Sequence, residues 1–514
     1  MINKKYLRNI IFAALSGILS TLAFPPFELT LLGWISIVPL LVILSEAGTK
    51  RGFLWGAISG AVFFGSTLYW LSNVTIPGMI LLVTVLSVFY GIFGICAKYV
   101  FKRSIDLLAL PIVWVVLEYA RGRVLTGFPW ASLGYSQYEN LSIIQIADIT
   151  GVYGVSFIMI VFNVAVFAFI KRIPQRVRYL AATLFLLMMV TAYGTYRLNN
   201  LAADSSLTLS IVQGNIPQEE KWDPNFNERI LEKYISLTEI VSEQETKMII
   251  WPETAYPYLM ENNEDSASEF KDLSERLKTP LLIGAVYSEN GYYFNSALLF
   301  DSTDEEVQVY HKTHLVPFGE YIPFKEYLSF FRDVIDKPIG DFLKGKGHAP
   351  LSLKAVTSDA SGTGIRTRET KFYKFGTLIC FEDIFPYISR ELVKNGADFL
   401  INMTNDAWFK ETAAARQHLQ SSVFRAVENR CPLVRAANTG ISCFISAKGK
   451  IYSVVGEGGR EIFISGSKTD KIEIYSVRSY YSAYGDIFVF FCVFMVFFIF
   501  IGDRITLSRR DQNT

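Results

Sequence analysis

Cysteine is scarce in this chain, with 5 in 514 residues. Cys96, Cys380, Cys431, Cys443 and Cys492 are odd in number and thinly spread, which is not the pattern of a disulfide framework. Cys96 and Cys492 fall inside long apolar runs, where a thiol serves as a small hydrophobe. Net charge is scarce too. At +1 the whole chain carries no electrostatic footprint for nucleic acid, and none is expected as a partner. His311 and His314 lie close in sequence, but no Cys/His/Asp cluster accompanies them, so neither a metal nor another cofactor is expected. No internal repeat is present.

Lys and Arg are missing from particular loops, and that absence is informative. The chain is 51% apolar and 15% aromatic, too greasy for an ordinary soluble enzyme. Spans need roughly 20 apolar residues. Candidates fall near 7–25, 29–47, 52–74, 78–100, 105–122, 152–170 and 179–198, with an eighth near 483–502. The first could be a signal peptide, but it is long for one, and no clear A-x-A site closes it. The connections FPPFEL and SNVTIPG have no Lys or Arg, and the loop after the fifth span has only Arg121 and Arg123. Positive charge gathers at the other ends: Lys4, Lys5 and Arg8; Lys50 and Arg51; Lys98, Lys102 and Arg103; Lys171, Arg172, Arg176 and Arg178; Arg504, Arg509 and Arg510. Positive ends stay cytoplasmic. The reading is a transmembrane domain of seven helices over 1–202, an outward-facing domain over 203–478, and a closing helix with a cytoplasmic tail over 479–514.

The outer stretch has a different grammar. SLTLSIVQGN, TKMIIWPE, PLLIGAVYS, FNSALLF, EVQVYHKT, KFGTLICFE, DFLINMTND, PLVRAANTG and SCFISAKG read as strands. FNERILEKYISLTEIVSEQ, YISRELVKNG and ARQHLQSSVFRAVENR read as helices, the second stopped by Gly396. The alternation predicts an α/β fold with helices covering sheets. SDASGTGIRTRET (358–370) reads as a flexible loop.

Three of these strands end on a reactive side chain. Cys380 closes an apolar strand before a helix, where a thiol is exposed at a sheet edge and the N–H groups beyond it can hold an oxyanion. Glu253, in MIIWPETAYP, can serve as a base for a thiol. Lys312, in VYHKTHLVPFGEY, can favour a thiolate and an oxyanion. Each alone has a plain alternative: a buried structural thiol, a turn cap, a solvated surface Lys. Together they change the odds, because strand ends in sheet folds converge on a shared crevice.

Around these residues the blocks WPE, HKTHLVPFGEY, LICFEDIFP and NDAWF resemble, in order and spacing, the carbon–nitrogen hydrolase (nitrilase) superfamily. That resemblance implies a nitrilase-type αββα sandwich and a Glu–Lys–Cys set. GFPWASLGYSQ, ITGVYGVSF, VQGNIPQEEKWDP, GDFLKG and ARQHLQSSVFRAVENRCPLVRAANTG extend it over nearly the whole chain, to the apolipoprotein N-acyltransferase family. What this implies is transfer of an acyl chain from a phospholipid, typically phosphatidylethanolamine, to the N-terminal amine of the diacylglyceryl-cysteine of apolipoproteins. It is the last step of lipoprotein maturation, performed in the bacterial inner membrane by a domain in the periplasm. The enzyme would be a monomer.

Carried over by motif, Glu253 is the general base, Lys312 the oxyanion stabiliser and Cys380 the acylated nucleophile. Glu320 and Glu382 match supporting carboxylates. Glu320 would orient Lys312 or relay protons, while Glu382 could instead only tune the thiol. Trp222 matches a substrate-pocket aromatic, with plain packing as the alternative. Two departures are visible: Phe381 stands where the family commonly has Tyr, and Lys410 follows NDAWF where Gly is usual.

Each lipid CH₂ left in water costs about 0.8 kcal/mol, so extracting a chain of roughly 16 carbons costs on the order of 13 kcal/mol. A pocket against the bilayer avoids that cost. In IPFKEYLSFFRDVIDKPIGDFL, Phe324, Tyr327, Leu328, Phe331, Val334 and Ile335 recur at helical spacing, which predicts a membrane-dipping lid, with Phe330 and Phe331 as candidate substrate-binding residues. An ordinary amphipathic helix on the core is the alternative. Glu118 and Arg121, at the outer end of the fifth span, are either functional ionisable groups or a structural ion pair. The rivals are a membrane-anchored amidase or nitrilase that hydrolyses a C–N bond, and a non-catalytic transporter or lipid-binding scaffold.

Overall fold

A computed structural model of the chain describes residues 4–103, 105–261, 264–321, 342–360 and 366–511. The chain divides into two compact units, Met1–Asn200 with Tyr484–Thr514, and Leu201–Ala483.

The first unit is helical. It contains α1 (Lys4–Leu22), α2 (Val38–Glu46), α3 (Thr49–Thr67), α4 (Ile76–Arg103), α5 (Ala109–Arg121), the short α6 (Leu141–Ile144) and α7 (Ala147–Thr150), then α8 (Val152–Ile170) and α9 (Arg176–Asn200). Among the described residues, α4, α8 and α9 are long and apolar enough to cross a membrane. The second candidate span, 29–47, is not one helix: a 3₁₀ turn at Thr30–Trp34 precedes the nine-residue α2. Pro39 explains the start, since a proline is tolerated in the first turn of a helix. Gly52, Gly56 and Gly60 recur along α3 and let α4 come close. A Cβ on Gly56 would stand 2.1 Å from the Tyr90 carbonyl oxygen. Small residues at such spacing are how apolar helices without a hydrophobic driving force pack.

The charged pair at the end of α5 does local work. Glu118 Oε1 accepts from the Leu133 N–H at 2.8 Å. The Arg121 guanidinium donates to the carbonyls of Phe128 (3.0 Å) and Trp130 (2.6 Å) and to Ser132 Oγ (2.9 Å). Both are buried and fold the GFPWASL segment back onto α5.

The second unit is a two-sheet sandwich. One sheet runs β13-β1-β2-β4-β5-β6, with β3 paired to β4; the other runs β12-β11-β10-β9-β8-β7. The strands of the first are β1 (Ser205–Gln213), β2 (Ile249–Ile250), β3 (Leu259–Glu261), β4 (Leu281–Glu289), β5 (Tyr292–Phe300), β6 (Gln308–His311) and β13 (Gly466–Ile474). Those of the second are β7 (Leu351–Ala360), β8 (Arg366–Ile379), β9 (Phe399–Thr404), β10 (Leu433–Ala437), β11 (Cys443–Ile445) and β12 (Ile451–Tyr452).

Alternation along β1 and β4 sorts the apolar residues between two cores. Leu207, Leu209, Ile211 and Leu282 point between the sheets and meet Phe375, Phe399, Ile401 and Val434. Val212, Leu281, Ile283 and Ala285 point outward and are covered by α10 (Asn227–Ser242) and α11 (Glu264–Leu277) through Tyr234, Val241, Phe270 and Leu273. On the other sheet, α12 (Pro386–Lys394) packs on β8 and α13 (Ala414–Asn429) on β10. This is the αββα sandwich. The unit ends at α14 (Tyr480–Tyr484), after which α15 (Ile487–Asp511) rejoins the helical unit.

The 358–370 stretch corrects the loop reading. Ser358, Asp359 and Ala360 pair with Arg368, Thr367 and Arg366 as arms of the β7–β8 hairpin. A strand of Ser, Asp, Thr and Arg has no apolar period to betray it. The proposed lid, with Phe330 and Phe331, lies outside the described residues.

Candidate active site

β2, β6 and β8 each hand one reactive side chain to the same end of the sandwich. Beyond β2 the chain turns sharply at Pro252–Ala255. Trp251 N–H donates to the Leu282 carbonyl (2.9 Å) and Tyr256 N–H to the Gly284 carbonyl (3.0 Å), so the turn is pinned at both ends to β4. Gly284 is required there, because a Cβ would stand 2.2 Å from the Pro252 carbonyl oxygen and 2.8 Å from Glu253 Cα. Lys312 follows β6 directly, and its N–H donates to the Asn295 carbonyl on β5 (2.8 Å).

Lys312 is 1% exposed and its ammonium sits between two carboxylates. Nζ donates to Glu253 Oε1 at 3.2 Å and to Glu320 Oε1 at 3.0 Å. Asn295 Nδ2 bridges the same two oxygens, at 2.8 Å from each. Glu320 Oε2 accepts from the Val316 N–H (2.7 Å), which fixes the carboxylate. Burial alone would lower the Lys312 pKa, but Glu320 and Glu253 together overrule it and hold the group well above its ordinary value.

Cys380 is the first residue after β8 and adopts a left-handed φ of 51° at the head of a 3₁₀ turn, Cys380–Ile384. It is half-buried, and its carbonyl accepts from Asn402 Nδ2 (3.2 Å). Burial and then the Glu253 carboxylate push its thiol up, while Lys312 pulls it down. The three residues therefore lie within electrostatic reach of one another.

Glu382 does more than tune the thiol. It is fully buried and accepts from the Ile379 N–H (2.8 Å), the Thr313 N–H (2.7 Å) and hydroxyl (2.6 Å), the His314 N–H (3.1 Å) and the Tyr310 hydroxyl (3.1 Å). It ties the turn bearing Cys380 to the turn bearing Lys312. Burial raises its pKa against these donors. The Phe381 ring packs edge-on to Phe385 and beside His314. Trp222 is 44% exposed, so it is not a core packing residue.

Several residues escaped sequence reading. Lys221 is buried, and its Nζ donates to the Glu253 carbonyl (2.9 Å). Beneath Cys380 lies a buried ionic cluster. His418 Nε2 is 2.8 Å from Asp383 Oδ1 and its Nδ1 2.9 Å from Asp406 Oδ1. Arg435 reaches Asp383 (3.2 Å), Asp406 (3.0 Å) and Asn402 Oδ1 (2.7 Å). All of them stand inside blocks already conspicuous in sequence, but nothing in a linear pattern says which side chains turn inward.

Known proteins match the chain at both ends. Residues 16–165 match the apolipoprotein N-acyltransferase N-terminal domain, and residues 208–473 match the carbon–nitrogen hydrolase family. An apolipoprotein N-acyltransferase of Geobacter metallireducens is 36% identical over 95% of this chain and 93% of its own. The chain belongs to the apolipoprotein N-acyltransferase family. Another member, from Pasteurella multocida, is 30% identical over 94% of this chain and 93% of its own. A carbon–nitrogen hydrolase structure from Helicobacter pylori aligns with 52% of this chain and 89% of its own, at 16% identity and a TM-score of 0.36. The family's N-terminal part coincides with the helical unit and its hydrolase part with the sandwich.

Proposed function

We propose that this protein transfers an acyl chain from a membrane phospholipid to the N-terminal amine of diacylated apolipoproteins, through an acyl-thioester on Cys380. The observation that carries the reading is the buried Lys312 ammonium, held between Glu253 and Glu320 and electrostatically coupled to Cys380. The family relationship supplies the substrate classes.

Glu253 takes the Cys380 proton, and the thiolate attacks the ester carbonyl of the phospholipid. Lys312 and the N–H groups after Cys380 carry the oxyanion. The ester C–O bond breaks, Glu253 returns its proton to the leaving alkoxide, and lysophospholipid departs. The amine of the apolipoprotein then attacks the thioester carbonyl and loses a proton to Glu253. The C–S bond breaks, and that proton goes back to the Cys380 sulfur. A thioester is reactive enough to acylate an amine, so the amide needs no further energy source.

Glu320 orients Lys312, Glu382 holds the two turns together, and Trp222, Phe330 and Phe331 receive the lipid. Phosphatidylethanolamine is the donor we favour, and the enzyme acts as a monomer. The Lys/Arg pattern supports a bacterial inner-membrane location with the sandwich in the periplasm and both termini in the cytoplasm.

Intact mass spectrometry after incubation with phospholipid tests the reading. One acyl adduct is expected, located on Cys380, stable in water and discharged by a diacylated lipopeptide. An adduct that hydrolyses at the same rate without an amine supports an amidase instead. Full activity in Cys380→Ser overturns the nucleophile. Serine at Phe330 and Phe331 is expected to impair use of bilayer lipid more than use of a detergent-soluble ester, and equal loss on both removes the lid.

A further inference from the structure

Lys221 sits in the loop after β1, next to the exposed Trp222, yet is only 4% exposed itself. Taking an ammonium out of water is unfavourable unless opposite charge compensates it. Its hydrogen bond goes to a backbone carbonyl, that of Glu253 (2.9 Å). A neutral amide or hydroxyl could donate there without the cost of burying a charge. The position therefore makes sense only through charge, and the charges it feels are the Glu253 carboxylate and Cys380.

Charge accounting in the cluster says why. Glu253 and Glu320 are two carboxylates facing one ammonium, Lys312, so these three carry a net −1. Moving the proton from Cys380 to Glu253 leaves that sum unchanged, with a thiolate in place of one carboxylate. Lys221, a second buried cation, brings these four groups to neutrality before and after the transfer. The other carboxylate acting on the thiol, Asp406, is already matched by His418 and Arg435.

We propose that Lys221 is a positioning residue of the active site: its ammonium clamps the turn that carries Glu253 and, through its field, favours the Cys380 thiolate alongside Lys312. Coupling between two ionising groups is reciprocal. A thiolate that raises the Lys221 pKa is stabilised equally by Lys221. Burial still leaves that lysine low, at about 8, so its proton is the first of the cluster's cationic protons to be lost as pH rises.

The proposal rests on Cys380 being the nucleophile, and its first test does not use acyl transfer. Iodoacetamide alkylation of Cys380 is followed against pH in the full-length, detergent-solubilised protein, with peptide mass spectrometry separating it from the other four thiols. Below pH about 8, where Lys221 carries its charge, alkylation in Lys221→Met should be about tenfold slower than in wild type, and the two profiles should converge above it. Lys221→Arg should keep the wild-type rate below that pH. An unshifted profile in Lys221→Met overturns the proposal, whether or not acyl transfer is slowed, because a merely structural clamp leaves the thiol where it was. Should Lys221→Met fail to fold, Lys221→Arg decides: wild-type acyl-adduct formation should decline above pH about 8, and the arginine variant, which does not titrate there, should stay flat. The same decline in both overturns the proposal. Absence of any acyl adduct in wild type bears on the proposed function instead.

Discussion

Glu382, two residues past Cys380, binds Thr313, one residue past Lys312, through both the N–H (2.7 Å) and the hydroxyl (2.6 Å). The Cys380 turn and the Lys312 turn come from opposite sheets of the sandwich, so this carboxylate sets their separation. Glu382→Gln keeps the shape but turns an N–H toward one of these donors. Stability should fall by about 3 kcal/mol, because buried donors lose an acceptor. Acyl-adduct formation should slow at least tenfold from misplacement. Thermal melting and adduct kinetics check this, and wild-type values in both would remove the clamp.

Asn295 Nδ2 donates equally to Glu253 and Glu320 and keeps two like charges from facing each other bare. Asn295→Asp adds a third carboxylate around one ammonium. Single-turnover acylation of Cys380 should drop by roughly 10². Asn295→Ala, which removes the bridge without adding charge, should lose less. The reverse order would show that the amide serves packing only.

Lys410 occupies φ 54°, ψ −166°, a region that belongs to glycine. Its side chain is exposed. Lys410→Gly should therefore stabilise the protein by about 1 kcal/mol without changing acyl transfer. A lower melting temperature would mean that the lysine makes a compensating contact.

His418 gives a pH signature. Burial and Arg435 lower its pKa, but Asp383 and Asp406 raise it more, to about 9. The folded state thus binds a proton more tightly than the unfolded chain. That stability is complete below the unfolded histidine value near 6.5 and is lost as pH rises through about 9. The loss should be on the order of 3 kcal/mol. Melting temperature measured between pH 6 and 10 should fall in wild type and run flatter in His418→Gln. Equal slopes would place the titration elsewhere.

Much of this was readable in one dimension. Strand and helix positions around Glu253, Lys312 and Cys380 followed from apolar period, because an element that buries one face must repeat at 2.0 or 3.6 residues. Where the period is absent, reading failed. The polar arms of the β7–β8 hairpin passed for a loop, and the second candidate span passed for one helix although it breaks before Val38.

By itself the sequence determined the composition of the candidate active site: one carboxylate, one ammonium and one thiol, each ending an apolar strand, preceded and followed by runs greasy enough for a bilayer. Those are local properties, written in consecutive residues. The tertiary structure alone decided which charges meet. Lys221 lies 32 residues from Glu253, Glu382 lies 69 from Thr313, and Asp383 lies 35 from His418. No local pattern encodes such pairs, because burial by the two sheets is what turns a charge from a solvated surface group into a partner. Of the three strand ends from which the site was first read, the structure made a cluster of two buried lysines, Lys312 and Lys221, and two carboxylates, Glu253 and Glu320, beside a single thiol.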